Sequence, residues 1–184
     1  MQARSSKSIT LVLGGARSGK SHYAQSLVTG AGRVAFIATA EALDPEMQQR
    51  IARHLAERPA SWTTLEAPIA LEDAVLECSG SFDFILVDCL TLWVSNLMTA
   101  EDADFDRIFM RAARLCDALR QVTSPVVLVS NEVGSGIVPV SDAGRLYRDL
   151  LGGVNQRVAA VADRVLLLVA GYPLTVKEPA GGRV

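Results

Sequence analysis

Cysteine, charge of one sign and long apolar runs are all scarce in this chain, and each scarcity removes a class of function. Cys78, Cys89 and Cys116 are the only cysteines, with no CxxC pair among them, so the spacing offers neither a zinc grip nor dithiol redox chemistry. They read as buried, reduced thiols. Lysine and arginine total 18 against 20 aspartates and glutamates, a formal charge of -2, which gives no general pull toward a polyanion and argues against nucleic acid as a partner. No apolar stretch is long enough to span a bilayer. The run Ile9 to Leu13 is too short for the core of a secretory signal, although Arg4 and Lys7 precede it, and the cytoplasm is the expected compartment. No repeat, low-complexity tract or flexible linker divides the chain. One domain over 1–184 is expected, with 1–7 and 179–184 flexible.

What is present is a chain of 184 residues, 49% hydrophobic, long enough to close one substantial core. Short β-branched runs recur between segments of helical period, the pattern of an α/β fold with a mostly parallel sheet flanked by helices. The expected strands are Ile9–Leu13, Val34–Ala38, Ser61–Leu65, Phe84–Val87, Val126–Val129 and Val165–Val169. Most are apolar at consecutive positions, as strands buried on both faces are. Asp44 before Pro45 and Ser141 before Asp142 are helix-opening signals, and Asp104 to Gln121 is amphipathic and ends before Pro125.

Gly14-Gly15-Ala16-Arg17-Ser18-Gly19-Lys20-Ser21 fits G-x-x-x-x-G-K-[ST] between an apolar strand and a helical segment beginning near Lys20. Such a loop binds a nucleoside triphosphate. Its glycines let successive backbone N–H groups close around phosphate oxygens where the helix N-terminus adds positive potential. Lys20 supplies a full charge for the β and γ phosphates, and the Ser21 hydroxyl can ligate Mg2+. Ala16 stands where a dinucleotide fingerprint would need glycine. Phe84-Ile85-Leu86-Val87-Asp88 ends an apolar strand in a carboxylate, the placement of a Walker-B acid in the Mg2+ shell.

In the helix opened by Asp44, Met47, Ile51 and Leu55 are spaced as a core-facing stripe, and Arg50, His54 and Arg58 as a column beside it. Two guanidinium groups bracketing an imidazole suit attack on phosphorus, since the arginines neutralise phosphate while neutral histidine supplies a lone pair. By residue physics alone, a solvated basic face with a half-buried histidine remains the competing reading. His22, in the first turn after the loop, is a reserve nucleophile that the helix dipole should keep neutral. The segment Ser130 to Pro139 follows a buried strand and carries Asn131 and Glu132 where ligands gather in open parallel sheets. Asn155, Gln156 and Arg157 are further polar candidates on a long helix.

Taken together these residues resemble the bifunctional adenosylcobinamide kinase and adenosylcobinamide-phosphate guanylyltransferase family of cobalamin biosynthesis. The resemblance rests on the loop at 14 to 21, Ile37-Ala38-Thr39, Arg50-Ile51 with His54, Arg58-Pro59, Trp62 with Glu66, Asn131-Glu132-Val133-Gly134 through Pro139, and Asn155-Gln156. It implies a RecA-like phosphate-loop fold and a kinase step on the aminopropanol hydroxyl of adenosylcobinamide, driven by ATP or GTP. Transfer of GMP from GTP to the new phosphate would follow, with His54 as its covalent carrier. It also implies nucleotide contacts at Ala38, Thr39, Ala40, Leu55, Ala56, Glu57, Arg58, Glu66 and Asp88, with Asp88 meeting either Mg2+ or the nucleotide sugar, and a homotrimer. A phosphate-loop kinase of another small metabolite and a regulatory nucleotide switch are the alternatives.

Overall fold

A computed structural model of the chain describes residues 7–42, 45–56 and 58–179. Seven strands form one sheet: β1 (Ile9–Gly14), β2 (Val34–Ala38), β3 (Thr63–Glu66), β4 (Phe84–Asp88), β5 (Val126–Asn131), β6 (Arg164–Val169) and β7 (Tyr172–Lys177). Their order is β3-β2-β4-β5-β1-β6-β7, with every neighbouring pair parallel except β6 and β7. Six helices accompany them: α1 (Lys20–Val28), α2 (Pro45–Ala56), α3 (Leu71–Cys78), α4 (Leu90–Ala100), α5 (Phe105–Gln121) and α6 (Asp142–Val161). The α/β fold with its mostly parallel sheet is as expected.

Side chains alternate across the sheet, so each strand feeds two cores. Leu11, Ile37, Ile85, Val87, Leu128 and Val165 face a large cluster closed by α3, α4, α5 and α6. Val12, Phe36, Leu86, Val129 and Leu168 face a smaller one covered by Ala24 and Val28 of α1, with Tyr23 and Trp62 at its edge. In the large cluster Trp93 is fully buried, and its indole N–H donates to the Ile69 carbonyl at 2.9 Å. Glu72 is buried against Arg111, whose Nη2 donates to Oε2 at 3.2 Å. Nε of Arg111 is 2.7 Å from Oε1 but outside hydrogen-bonding geometry, so that contact is coulombic.

Two of the expected helix starts are built as the residues suggest. Asp104 accepts from Arg107 N at 2.9 Å and Ser141 from Gly144 N at 3.2 Å, each satisfying a backbone donor of the first turn. Asp44 lies outside the described residues, as do 1–6 and 180–184 of the termini expected to be flexible. The third strand begins at Thr63 rather than Ser61, because Trp62 N closes a turn onto Pro59 O at 3.0 Å. β7 was not expected. It pairs with β6 through a two-residue turn, Ala170-Gly171, with φ of 51° and 87°, the double positive φ of a type I′ hairpin.

Candidate active site around the phosphate loop

The loop sits at the carboxyl end of β1, and its conformation depends on bare backbone. A Cβ on Gly14 would lie 2.4 Å from Ser18 Oγ and 3.0 Å from the Leu168 carbonyl. Gly19 has φ 89°, and a Cβ there would come within 3.2 Å of Gly171 Cα. Arg17 also adopts positive φ, 57°, which costs a residue with a side chain about 1 kcal/mol or more. Gly171 N donates to Ser18 O at 2.9 Å, so the unexpected hairpin braces the loop from the β6 side. Ala16, Arg17 and Gly15 remain exposed at its crest, and Lys20 Nζ donates to Gly15 O at 3.1 Å.

Beside the loop opens a cavity of about 1450 Å³ into which many of the expected residues converge. Ala16, Arg17, Lys20 and Ser21 form its phosphate-loop wall; Ala38, Ala40, Glu66 and Asp88 stand at the carboxyl ends of β2, β3 and β4; Leu55 and Arg58 close the side toward α2. Register explains the meeting: Ala38 pairs with both Glu66 and Asp88, so these two carboxylates lie at one level of the two strands that flank β2. Asn131, opposite Gly14 in register, lines the same cavity.

Thr39 is the exception. It is fully buried; its hydroxyl donates to the Cys89 carbonyl at 2.7 Å and accepts from Cys89 N at 2.9 Å. Asn96 Nδ2 caps the Thr39 carbonyl at 2.8 Å. The residue pins β2 to the end of β4 and offers its side chain to nothing in the cavity. Cys89 lines the cavity, yet burial, reinforced by Asp88, pushes its thiol up to about 11. It is no nucleophile near neutral pH. Cys78 and Cys116 are free and buried as expected.

The stripe and column expected on α2 need correction. Leu55 is 53% exposed and with Ile51 faces the cavity, so these two residues of the stripe form a site wall; the side chain of Met47 lies outside the described residues. The helix ends at Ala56, so Arg58 does not continue a helical column. Instead the chain turns, Arg58 N bonding Leu55 O at 3.2 Å, and the guanidinium lies 3.5 Å from the Phe36 ring centre. Nη1 donates to Thr64 Oγ1 at 3.2 Å. Burial pushes the Arg58 pKa down and the Asp88 charge opposes that shift; the group stays cationic. The side chains of Arg50, His54 and Ala56, and all of Glu57, lie outside the described residues. Even so, the helix carrying His54 presents Gln49, Ile51 and Leu55 to the cavity.

Of the remaining candidates, Asn155 is buried and donates to the Asn131 carbonyl at 3.0 Å, supporting the site from behind. Gln156 and Arg157 are exposed, and Arg157 covers Phe109 at 3.7 Å. Of the segment Ser130 to Pro139 only Asn131, the last residue of β5, reaches the cavity, while Glu132 accepts from Gly134 N at 2.6 Å and Ile137 and, just beyond, Val140 are almost fully exposed. His22 is exposed on α1 and lines a second, smaller cavity.

Ser21 and Asp88 share the large cavity as a hydroxyl and a carboxylate, hard oxygen donors that suit Mg2+. Among the described residues no group of three or more His, Cys, Asp or Glu could cage a metal. A phosphate-bridging Mg2+ needs only one or two protein oxygens, the rest being water and substrate.

A glycine-built anion loop, a lysine, a hydroxyl and a strand-end acid around one cavity define a nucleotide-binding protein of the phosphate-loop class. The chain belongs to the cobinamide kinase / cobinamide phosphate guanyltransferase family, whose model matches residues 10–176. It is similar to the bifunctional adenosylcobalamin biosynthesis protein CobP of Pseudomonas aeruginosa, 44% identical over 92% of this chain and 98% of that one. It is also similar to the CobU proteins of Salmonella typhimurium, 42% identical, and Escherichia coli, 38% identical, each match covering 91% of this chain and 98% of the relative. Among solved structures it is similar to the P4 protein from bacteriophage phi6 in complex with ADP, with a TM-score of 0.49 and 16% identity over 96% of this chain and 58% of that one.

Proposed function

We propose that this chain, working as one nucleotide-binding domain, catalyses two successive transfers in adenosylcobalamin synthesis. First it phosphorylates the hydroxyl of adenosylcobinamide with ATP or GTP. Then it moves GMP from GTP onto the new phosphate. The observation that carries this reading is the single 1450 Å³ cavity walled by the phosphate loop, the strand-end carboxylates, Arg58 and the His54 helix. Phosphoryl transfer to an alcohol chiefly needs alignment and charge neutralisation, which Lys20, Arg17 and the loop amides supply. Mg2+ held by Ser21 and Asp88 would neutralise charge on the phosphates.

Guanylyl transfer sets a weak phosphate nucleophile against the α phosphorus, and a covalent relay divides that barrier. Neutral imidazole of His54 attacks the α phosphorus, the bond to the bridging oxygen breaks and pyrophosphate leaves. The cobinamide phosphate oxygen then forms the new bond as the P–N bond breaks and imidazole is released. In this reading Glu66 accepts from guanine N–H or ribose hydroxyl groups while Asp88 serves the metal, and Arg58 holds phosphate as a planar fork. The backbone of Ala38, Thr39 and Ala40, together with Leu55, Ala56 and Glu57, completes the nucleotide site in this reading.

Incubation with GTP labelled at the α phosphate is expected to leave acid-labile label on the protein, and His54→Ala is expected to lose label while keeping kinase activity. An unlabelled parent protein would refute the covalent relay, and a labelled variant would move it to another residue. No helix among the described residues is long and apolar enough to cross a membrane; a cytoplasmic homotrimer, the family's implied state, completes the proposal and is checked by mass measurement in solution.

A further inference from the structure

The phosphate loop borders two cavities, and Arg17, Lys20 and Ser21 line both. The smaller, about 790 Å³, lies on the α1 side, where His22, Gln25, Ser26 and Thr29 face Pro59 and Trp62. His22, Gln25 and Ser26 are spaced i, i+3 and i+4 on α1, one stripe of the helix that Thr29 extends just past its end, and none of them is needed to bury α1, which packs through Ala24 and Val28.

The two cavities differ in chemistry. The larger has Glu41, Glu66 and Asp88 in its lining, and carboxylates are what a guanine edge and ribose hydroxyls require as acceptors. Among the described residues the smaller has no carboxylate in its lining, and the formal charges there come from Arg17 and Lys20 at the shared wall. An anionic group is favoured at that wall, and further out no carboxylate among the described residues is at hand to accept from the N–H and hydroxyl groups of a nucleoside. Beyond it come an amide and two hydroxyls on one side and an indole with a proline on the other, surfaces suited to the primary amide arms and methyl-rich edge of a corrinoid. The cavity is open to solvent, so a ligand larger than its volume can seat one edge and leave the remainder outside.

Resting on the function proposed above, we infer that this smaller cavity is the acceptor site for both transfers. The hydroxyl-bearing arm of the cobinamide points at Arg17 and Lys20, and the same wall holds its phosphate once formed. The acceptor then keeps one seat while nucleotides exchange in the larger cavity. One loop can serve both chemistries because the acceptor approaches it from a fixed side.

Ser26 is exposed, its hydroxyl donating to the Tyr23 carbonyl, so Ser26→Phe obstructs the cavity without touching the core. Equilibrium dialysis of this variant with cobinamide is expected to show binding weakened about tenfold or more, with KM for cobinamide and its phosphate rising in step. Affinity for GTP, and labelling of the protein by GTP alone, are expected to stay within about twofold of the parent. Trp62→Ala is expected to show the same split. Parent-like cobinamide binding in a Ser26→Phe protein with parent-like circular dichroism and melting would overturn the inference. Loss of GTP binding in its place would overturn it too, by assigning the cavity to nucleotide. Failure of the parent to label with GTP strikes the covalent relay alone, because dialysis reads the acceptor site independently.

Discussion

The two faces of the sheet are built to different standards. One is sealed by α3, α4, α5 and α6 over a large apolar cluster; the other is covered by α1 and an aromatic margin. Odd and even positions of the same strands supply both, so composition does not separate them. The difference lies in what covers them. On the thick face a side chain is buried by other apolar side chains, and on the thin face Phe36 is shielded in part by a cation, Arg58, and stacks with Trp62 at 6.3 Å. The thick face buries more apolar side chains than the thin one, and the thin face leaves room for ligands beside the loop.

The two tryptophans test this contrast most strongly. Trp93→Ala removes a fully buried indole together with its hydrogen bond to the Ile69 carbonyl, which keeps Arg111 Nη2 and Leu71 N as donors, an expected loss of about 3–5 kcal/mol, or roughly 10 °C in Tm. Trp62→Ala, on a partly exposed ring, is expected to cost less than half of that while weakening acceptor binding. Urea melts of both variants give the comparison, and equal losses would abolish the distinction between faces.

Beneath the thin face the site has a built-in alkaline limit. The Cys89 thiol titrates near 11 when folded against an ordinary value near 8.5–9 when unfolded. The folded state therefore holds this proton more tightly, and the stability it brings is complete below about pH 9 and lost as pH rises through about 11. Each tenfold gain in proton affinity corresponds to about 1.4 kcal/mol, so the loss is on the order of 2–3 kcal/mol. Cys89→Ser is expected to flatten that part of the stability profile between pH 9 and 11, and an unchanged slope would remove the thiol as its cause.

Much of the architecture was legible in the order of the residues. Strands buried on both faces advertise themselves as apolar runs, and the loop motif carries its own geometry, so β1, β2, β4 and β5, Lys20, Ser21 and Asp88 lie where the residues indicate. α3 and α4 open at Ala70 and Cys89 without a side-chain cap, so nothing marks their starts. β7 alternates Tyr172, Leu174 and Val176, which is a strand signal, but Pro173 masks it, and proline is tolerated there because the strand is an edge. The bend that takes Arg58 off the line of α2 onto Phe36 depends on contacts across the fold, which helical spacing does not encode. Nor could spacing show that Thr39 is spent on Cys89, or that two cavities share one loop wall.

Arg58 is where the contrast between faces is sharpest, because it is at once a cover for Phe36 and a wall of the large cavity. As cover, its cation–π contact with the ring contributes on the order of 1 kcal/mol. As the phosphate fork proposed for it, its charge-assisted hydrogen bond would contribute about 1.5–3 kcal/mol to binding, or roughly ten- to hundredfold in Kd. Arg58→Ala is therefore expected to lower Tm by only about 2–4 °C while raising the Kd for GTP at least about tenfold, read by calorimetry. Arg58→Lys retains the charge and loses the planar fork, so it should restore part of the affinity but not all of it. A Tm loss in Arg58→Ala as deep as that of Trp93→Ala, with GTP binding intact, would make Arg58 a structural member of the smaller core and not part of the nucleotide site.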